Sequence, residues 1–421
     1  MAQLERAVRR WQIVGYSLND VIGSGVYLLP AAATALLGPA SIWAVALAGT
    51  AVLLIVLCFA EAATHFREPG SGYLYAREAF GDFIGFEVGW MTWLARVASV
   101  ASLSAGFAQA LSYAWPAAEQ GWGRWVAVLV PLAALTAINV VGVRASMRTA
   151  VFLVVAKVAP LLLFAGVGAF FVSFDRLAAQ QATEPGGLAG AALLLLYAYA
   201  GFENTSAPAG EFRRPRRDVP FALLAQVALV TGLYVVIQTV VLGTLPGAGE
   251  SATPLADAAR GFLGGWGGWL LTVGAAVSIL GTYHNTVLAG PRYLFALARD
   301  GFGPGFLSGV HPRFRTPANA ILLQSAIAVP LALTGTFVEL AALSVVARLA
   351  TYLGTAAAVP VLRRKLGSPE GRFRLPGGPL IPLAAGLLAV VFAASAQLKS
   401  LVAGAIALTV GAAIYRLRRS G

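Results

Sequence analysis

The sequence predicts an all-α, polytopic membrane protein with twelve transmembrane helices, of which the first and the sixth are discontinuous. Of its 421 residues, 58% are hydrophobic and only 11% are charged, and the mean hydropathy is +0.76. Runs of about 20 apolar residues, the length that crosses a bilayer, recur along the whole chain. No loop between them has room for a soluble domain, so we expect a single transmembrane domain over residues 1–421.

Twelve apolar runs account for most of the chain. In order, they cover residues 12–37, 40–64, 83–114, 124–142, 149–172, 187–210, 219–244, 267–299, 317–334, 338–361, 379–396 and 400–416. The third and eighth runs are long enough to be tilted or to extend past the bilayer. The first is too long for a cleaved signal peptide and lacks a small-residue cleavage site.

Two of the apolar runs are interrupted near their middle. The first break is at residues 22–26 (IGSGV) and the second is at residues 199–203 (YAGFE). An unpaired backbone N–H or C=O in hydrocarbon costs several kcal/mol, so unwound backbone is expected there only where it lines a cavity or is buried in protein. The freed groups then become ligands for a polar solute. The alternative for the first break is a small-residue face for helix packing.

The spacing of the breaks predicts an internal repeat. They lie in the first and sixth runs, so the two broken helices enter the bilayer from opposite sides. This arrangement predicts that residues 12–172 and 187–361 form inverted repeats related by a pseudo-two-fold axis in the membrane plane. Residues 379–416 would be appended to the repeats, and the site would lie at the interface between them.

The distribution of basic residues predicts the orientation. The chain has 30 Lys+Arg against 18 Asp+Glu, a net charge of +12, and most basic residues fall on one side when the N-terminus is placed inside. This pattern predicts a multi-pass protein of the plasma (inner) membrane with both termini in the cytoplasm. The dispersed charges favour contact with anionic lipid heads and argue against a nucleic-acid partner.

Five charged residues are the clear cases of charge inside the predicted spans, where each costs roughly 2.5–3.5 kcal/mol on insertion scales and so marks a candidate functional position. They are Asp20, Arg96, Lys157, Glu203 and Arg348. Glu203 is the first candidate for a coupling carboxylate, because a carboxyl beside a poorly hydrated cavity can exchange protons near physiological pH. The alternative is a structural carboxylate fixed by hydrogen bonds or by a basic neighbour. Asp20 either neutralises a substrate amine or pairs with Arg96 or Lys157.

Lys157 lies too deep in the fifth run for its ammonium to reach the interface comfortably. An ammonium can replace a bound metal cation by donating to unwound backbone carbonyls, so Lys157 is a candidate substitute for sodium. The alternative is a plain ion pair. Tyr197, one turn before the second break, is a candidate gate, and core packing is the alternative for this ring and for Tyr27, Tyr199 and Phe202.

Several longer motifs resemble those of the amino acid–polyamine–organocation superfamily of permeases. They are IGSGVYLLP at 22–30, AEAA at 60–63, EPGSGYLYAREAFG at 68–81, GFE at 201–203, AGEFRRPRRDVP at 209–220, ARDG at 298–301 and TP at 316–317. The resemblance covers the first ten runs and is specific in the combination of motifs. It implies a leucine-transporter-like fold of five-plus-five inverted repeats that works by alternating access.

The resemblance also implies roles for individual residues. The substrate carboxylate would bind the backbone and hydroxyl at the first break, namely Gly23, Ser24 and Gly25. The substrate amine would be held by carbonyls before the first break and around the second, at Val21, Tyr197, Ala200 and Gly201. Lys157 matches a fifth-span lysine that occupies a cation site in sodium-independent members. Glu203 is similar to the proton-linked glutamate of the arginine/agmatine antiporter, with Tyr197 at the position of its gating aromatic.

Three departures from the superfamily pattern bear on the substrate. Asn19-Asp20 replaces the small or apolar pair that is common before the first break. The third-span position that reads a guanidinium in the arginine/agmatine antiporter corresponds to Val100, and the eighth-span aromatic falls near Asn285 or Thr286. These changes disfavour arginine and favour a neutral amino acid, with Asn285 as a further substrate contact. The carboxylate of Asp20 leaves a cationic amino acid or a polyamine as an alternative substrate.

The sequence therefore predicts a sodium-independent secondary transporter of amino acids, working by proton-coupled symport or by exchange, and not an enzyme. One alternative class is an intramembrane hydrolase that uses Ser24 with His284, which needs a base within about 3 Å of the serine. Another is an amino acid sensor that binds without flux. The lone Cys58 and the absence of a Cys/His cluster predict no disulfide, metal or cofactor. The expected partners are the amino acid, protons and lipids, and the chain is expected to be a monomer or a homodimer.

Overall fold

A computed structural model of the chain describes residues 9–66, 71–142, 147–178, 187–205, 213–367, 373–375 and 377–419. Within these ranges the regular structure is entirely helical, with sixteen α-helices joined by turns and short 3₁₀ segments. The predicted all-α class is confirmed.

Local sequence rules account for several helix ends. Pro215 and Pro254 begin their helices, where the fixed φ of proline suits the first turn. Thr336 and Glu339 form a capping box at the start of another. The helices are α1 (Arg10–Val21), α2 (Ser24–Leu37), α3 (Ser41–His65), α4 (Ser71–Phe80), α5 (Asp82–Leu111), α6 (Gly121–Val141), α7 (Met147–Gly168), α8 (Phe174–Ala178), α9 (Gly187–Tyr199), α10 (Pro215–Thr244), α11 (Pro254–Leu263), α12 (Gly265–Arg299), α13 (Ala318–Thr334), α14 (Phe337–Leu366), α15 (Leu380–Ala394) and α16 (Leu398–Arg419).

Eight helical stretches in the described part of the chain are long and apolar enough to cross a membrane. They are Ser24–His65, Asp82–Leu111, Gly121–Val141, Val154–Phe171, Arg217–Thr244, Gly265–Arg299, Phe337–Leu366 and Leu398–Arg418. The shorter apolar helices α13 and α15 match the predicted ninth and eleventh runs. The chain is therefore a multi-pass membrane protein.

Both predicted interruptions are present. The first run is divided into α1 and α2, with Ile22 and Gly23 between them. In the sixth run, α9 ends at Tyr199 and a 3₁₀ turn follows over Phe202–Asn204. Residues 206–210 of that run lie outside the described residues. The connecting stretches 65–82 and 245–266 contain helices of their own, α4 and α11.

Helix α5 lies at the centre of the packed helices. It is the most buried of the eight apolar stretches, and it packs most extensively against α14 and α12. A second packed pair is formed by α3 and α10. A charged side chain on the inner face of α5 is therefore remote from lipid and must find its partners within the protein.

The two breaks lie in direct contact. At Gly25, in the first turn of α2, an added Cβ would come within 2.6 Å of the Ala198 Cα atom of α9. At Gly201, an added Cβ would lie 2.8 Å from the Asp20 carbonyl oxygen. The φ of Gly201 is +130°, a conformation that glycine adopts far more readily than other residues. The missing side chains let the unwound segments pack backbone against backbone.

We expect Gly201→Ala to destabilise the protein by about 1–3 kcal/mol, because the added methyl group meets the Asp20 carbonyl and the backbone becomes strained. Gly232→Ala in α10 is the matched control, since a Cβ at that position meets no atom within 4 Å. Thermal unfolding of the purified variants in detergent should show a lower midpoint for Gly201→Ala alone. Equal midpoints would contradict the close packing of the two breaks.

Candidate functional site at the two helix breaks

The first break frees backbone groups of opposite polarity. Gly23, between α1 and α2, has φ −134° and ψ −141°, so the helical hydrogen bonding is interrupted there. The first N–H groups of α2 have no partner within the helix, and the helix dipole adds partial positive charge at that end. Such an end suits a carboxylate. The C-terminal carbonyls of α1 carry the opposite partial charge and suit a cation.

The ammonium of Lys157, on α7, occupies the carbonyl side of this break. Its Nζ donates to the Asn19 carbonyl at 2.8 Å, to the Ile22 carbonyl at 3.2 Å and to the Thr282 hydroxyl at 3.1 Å. These bonds use all three donors of the ammonium, and the side chain is completely buried. Lys157 forms no ion pair with an acid in the described part of the chain. The ammonium is therefore bound by unwound backbone.

Helix α12 supplies further hydrogen-bond donors to the first break. The hydroxyls of Ser278 and Thr282 donate to the same Ile22 carbonyl at 3.0 and 3.1 Å. Gly281 leaves space for the lysine, because a Cβ there would lie 2.9 Å from the Lys157 Cε atom. The position of the break thus depends on α7 and α12 together.

The second break holds Glu203 between two arginines. Its Oε2 accepts from the Gly201 N–H at 2.9 Å. Its Oε1 accepts from Arg96 of α5 at 3.1 Å and from Arg348 of α14. The exposed fractions are 3% for Glu203, 2% for Arg96 and 5% for Arg348. These two arginines are the basic neighbours that the interpretation of Glu203 as a structural carboxylate required.

Asp20 joins this cluster through amide side chains. The Asn204 side chain donates to Asp20 Oδ2 at 2.5 Å and accepts from Arg96 at 2.7 Å. Asn285 of α12 donates to Asp20 Oδ1 at 3.4 Å. No ion pair joins Asp20 to Arg96, to Lys157 or to another basic residue in the described part of the chain. The intervening Asn204 occupies the place of a direct contact with Arg96.

A narrow cavity lies between the two breaks, and the centre of a water molecule can reach only about 20 Å³ of it. Its lining residues come from α1, α2, α5, α9, α12, α14 and the two breaks. They are Asp20, Val21, Gly23, Ser24, Gly25, Arg96, Ser99, Leu103, Tyr197, Ala200, Thr282, Thr286 and Arg348.

Most of the predicted substrate contacts come together at this cavity. Those that line it are Val21, Gly23, Ser24, Gly25, Tyr197 and Ala200. Gly201 and Asn285 do not line it, because Gly201 packs on the Asp20 carbonyl and Asn285 bonds the Asp20 carboxylate. Among the predicted coupling residues, Asp20 reaches the cavity directly. Lys157 and Glu203 touch it only through the residues they bind.

Of the four aromatic residues near the breaks, only Tyr197 lines the cavity. Its ring packs edge-on against Phe337, with 5.7 Å between centroids. Tyr27 donates to the Lys157 carbonyl at 3.3 Å, and the rings of Tyr199 and Phe202 belong to the buried core. Tyr27 and Tyr197 belong to the same buried core, so core packing accounts for the three rings that do not line the cavity.

The cavity-lining face of α5 was not predicted from the sequence. Arg96, Ser99 and Leu103 are three and four residues apart, so they share one side of the helix, and all three line the cavity. The expected position, Val100, points elsewhere and is completely buried in the core. The buried Arg96 was the available signal, because its helical neighbours at this spacing identify the face.

The geometry gives no support to a Ser24–His284 pair. His284 Nδ1 lies 3.3 Å from the Asn139 side-chain amide. Ser24 lines the cavity, whereas His284 does not. A general base for the serine would have to lie within hydrogen-bonding reach of the hydroxyl.

Comparison with known proteins agrees with this geometry. The model of the amino acid permease family matches residues 9–412. An uncharacterised transporter of Mycobacterium tuberculosis is 31% identical over 424 residues, covering 99% of this chain and 92% of the relative. A methylthioribose transporter of Bacillus subtilis is 28% identical over 432 residues, with coverages of 98% and 93%. The branched-chain amino acid permease of the same organism is 27% identical over 435 residues, also with coverages of 98% and 93%. Because the family match includes both breaks and the cavity between them, the chain belongs to the amino acid permease family, within the amino acid–polyamine–organocation superfamily.

Proposed function

We propose that the chain is a secondary transporter that moves amino acids across the plasma (inner) membrane by alternating access and without sodium. The observation that carries this proposal is the Lys157 ammonium bound to the Asn19 and Ile22 carbonyls. Unwound carbonyls in a membrane helix coordinate a cation in many transporters. Here a fixed side-chain cation fills that position beside the cavity, so no sodium ion is needed to hold the break.

The proposed architecture is the full twelve-span one. Residues 12–172 and 187–361 form the inverted repeats, and residues 379–416 form the two appended spans. The support is the occurrence of breaks in the first and sixth runs and their direct contact through Gly25 and Gly201. The positive-inside pattern places both termini in the cytoplasm.

In the proposed binding mode, the substrate carboxylate lies at the N-terminus of α2, against Gly23, Ser24 and Gly25. The positive end of the helix dipole and the free N–H groups favour an anion there. The substrate amine lies between the carbonyls of Val21 and Ala200, with the Asp20 carboxylate on the same cavity wall. Tyr197 covers the cavity as a gate, while Gly201 and Asn285 support it from behind.

The class of substrate side chain can be narrowed. A cationic amino acid or a polyamine would bring positive charge beside Arg96 and Arg348, which line the cavity, and like charges at low dielectric repel strongly. The name of the branched-chain permease favours a neutral amino acid, as the sequence does. Because one relative is a methylthioribose transporter, the substrates tested must include a solute that is not an amino acid.

Uptake into proteoliposomes tests the proposal. Labelled amino acids and methylthioribose are offered with and without a proton gradient, with and without internal amino acid, and with sodium replaced by choline. We expect saturable amino acid uptake that is unchanged in choline and stimulated by the proton gradient or by internal substrate. A strict sodium requirement would contradict the role of Lys157. Binding without flux would identify a sensor.

Lys157→Ala should lower the initial rate of uptake by about tenfold or more, because the Asn19 and Ile22 carbonyls lose charge-assisted hydrogen bonds of roughly 1.5–3 kcal/mol each. The matched control is Lys399→Ala, whose lysine is 67% exposed and bonds Glu339 at the surface. Both variants are compared by size-exclusion profile and initial rate. Wild-type flux in a folded Lys157→Ala protein would reduce this residue to a dispensable packing element.

Glu203→Gln should flatten the pH dependence of uptake, because a carboxamide has no titrating proton and cannot serve as counter-ion to Arg96 and Arg348. The comparison variant is Glu78→Gln, at an exposed position on α4. Initial rates are measured over a series of external pH values at fixed substrate. A Glu203→Gln profile that follows the wild-type profile would remove Glu203 from the coupling step.

A further inference from the structure

Two arginines line the same cavity as the helix breaks. Arg96 comes from α5 and Arg348 from α14, and both are almost completely buried. Neither has a carboxylate of its own, because both donate to the single oxygen Oε1 of Glu203. Glu203 does not line the cavity, so the guanidinium groups lie between this carboxylate and the substrate space.

The arginines retain capacity to bind a ligand. A guanidinium carries five N–H donors. Arg96 Nε is buried and has no hydrogen-bond partner among the described residues. Apart from Glu203, the described hydrogen-bond partners of Arg348 are the hydroxyls of Ser344 and Ser99, at 3.3 and 2.9 Å. Burying a donor without a partner is unfavourable, and a ligand oxygen that accepts from it would remove this cost.

The ionised groups around the cavity do not balance. Among the described residues that line it or bond to its lining, the basic ones are Arg96, Lys157 and Arg348 and the acidic ones are Asp20 and Glu203. Counted by formal charge, the basic residues exceed the acidic ones by one, and an unbalanced charge at low dielectric is costly. A zwitterionic substrate leaves this excess unchanged and a cationic one increases it. A substrate with one net negative charge removes it.

We propose that the substrate is an amino acid with a carboxylate side chain, whose second carboxylate binds Arg96 and Arg348. This inference rests on the proposed transport function and assigns its substrate class. The α-carboxylate and the amine occupy the breaks, and the side-chain carboxylate reaches the α5–α14 wall. Paired guanidinium groups recognise a carboxylate through planar, charge-assisted hydrogen bonds that a neutral side chain cannot make. This assignment replaces the preference for a neutral amino acid, in which the two arginines served only to disfavour a cationic substrate.

The first test compares isosteric substrates on the wild-type protein. Labelled L-glutamate and L-aspartate are offered to proteoliposomes beside L-glutamine and L-asparagine, and glutarate serves as a dicarboxylate without an amine. We expect uptake of an acidic amino acid to exceed that of its amide by about tenfold or more, the effect of one charge-assisted contact. Glutarate should compete poorly, because it has no amine for the carbonyls at the breaks.

The outcomes separate this inference from the proposed function. Uptake of an amide or another neutral amino acid at rates equal to or above those of the acids would overturn the acidic substrate class and leave amino acid transport intact. Thermal stabilisation by L-glutamate without uptake would support the substrate class and overturn transport. Neither stabilisation nor uptake with any amino acid would overturn both. Glutarate uptake equal to that of glutamate would replace the amino acid with a dicarboxylic acid.

Substitution of the arginine provides the second test. Arg348→Gln should lower the ratio of acidic to amide uptake by about tenfold or more, and Arg348→Lys should restore part of it by restoring the charge. The matched control is Arg299→Gln, whose arginine is 66% exposed, and it should keep the wild-type ratio. A lower total rate at an unchanged ratio would show that Arg348 only supports the fold, and would overturn its assignment as the specificity residue.

Discussion

The hydrogen bonds from the Lys157 ammonium to the first break are the interaction on which the rest of the site depends. Unwound backbone at membrane depth leaves carbonyls that water cannot reach, so another donor must satisfy them. Lys157 supplies two of the bonds, and the Ser278 and Thr282 hydroxyls share the Ile22 carbonyl with it. With its carbonyl side fixed in this way, the break keeps the first turn of α2 open toward the cavity.

The second constraint is the contact between the breaks. Gly201 approaches the Asp20 carbonyl so closely that no side chain fits. This contact places Glu203 and Asn204 beside the inner faces of α5 and α14, where Arg96 and Arg348 meet them. Buried ion pairs are poor devices for stability, since the cost of removing two ions from water can exceed their attraction. Their position at a cavity wall is more readily explained by recognition.

Much of this could be predicted from the sequence, because the relevant signals are local. A glycine pair within an apolar run marks a break, and a lysine too deep to reach the interface marks a buried cation. The expected cavity contacts at Gly23, Ser24 and Gly25 follow from adjacent positions along one segment. The same locality explains why α1 and α2 are divided where the sequence predicts.

The arginine cluster could not be predicted in the same way. Arg96 and Glu203 are 107 residues apart, and Glu203 and Arg348 are 145 residues apart. Their meeting depends on the packing of α5 against α14 and on the exact rotation of α5. An error of one residue, from Ser99 to Val100, turns the helix by about 100° and moves the predicted contact from the cavity into the core. Asn204 could not be predicted for a related reason. Its side chain bridges Arg96 to Asp20, and this contact exists only in the packed structure.

If Glu203 is the coupling residue proposed above, its position behind the arginines would link substrate charge to proton coupling. A substrate carboxylate that reaches Arg96 and Arg348 competes with Glu203 for the same guanidinium donors. If Glu203 takes a proton as the anionic substrate binds, the substrate replaces its charge beside the two arginines and the formal excess of one positive charge remains. If Glu203 stays ionised, the substrate balances that excess. A neutral substrate leaves the bond between Glu203 and the arginines in place and gives the carboxylate no reason to change its protonation. The proposed acidic substrate therefore either balances the cavity with Glu203 ionised or exchanges charge with Glu203 if that residue carries the coupling proton. Lys157 would hold the first break for either class of substrate.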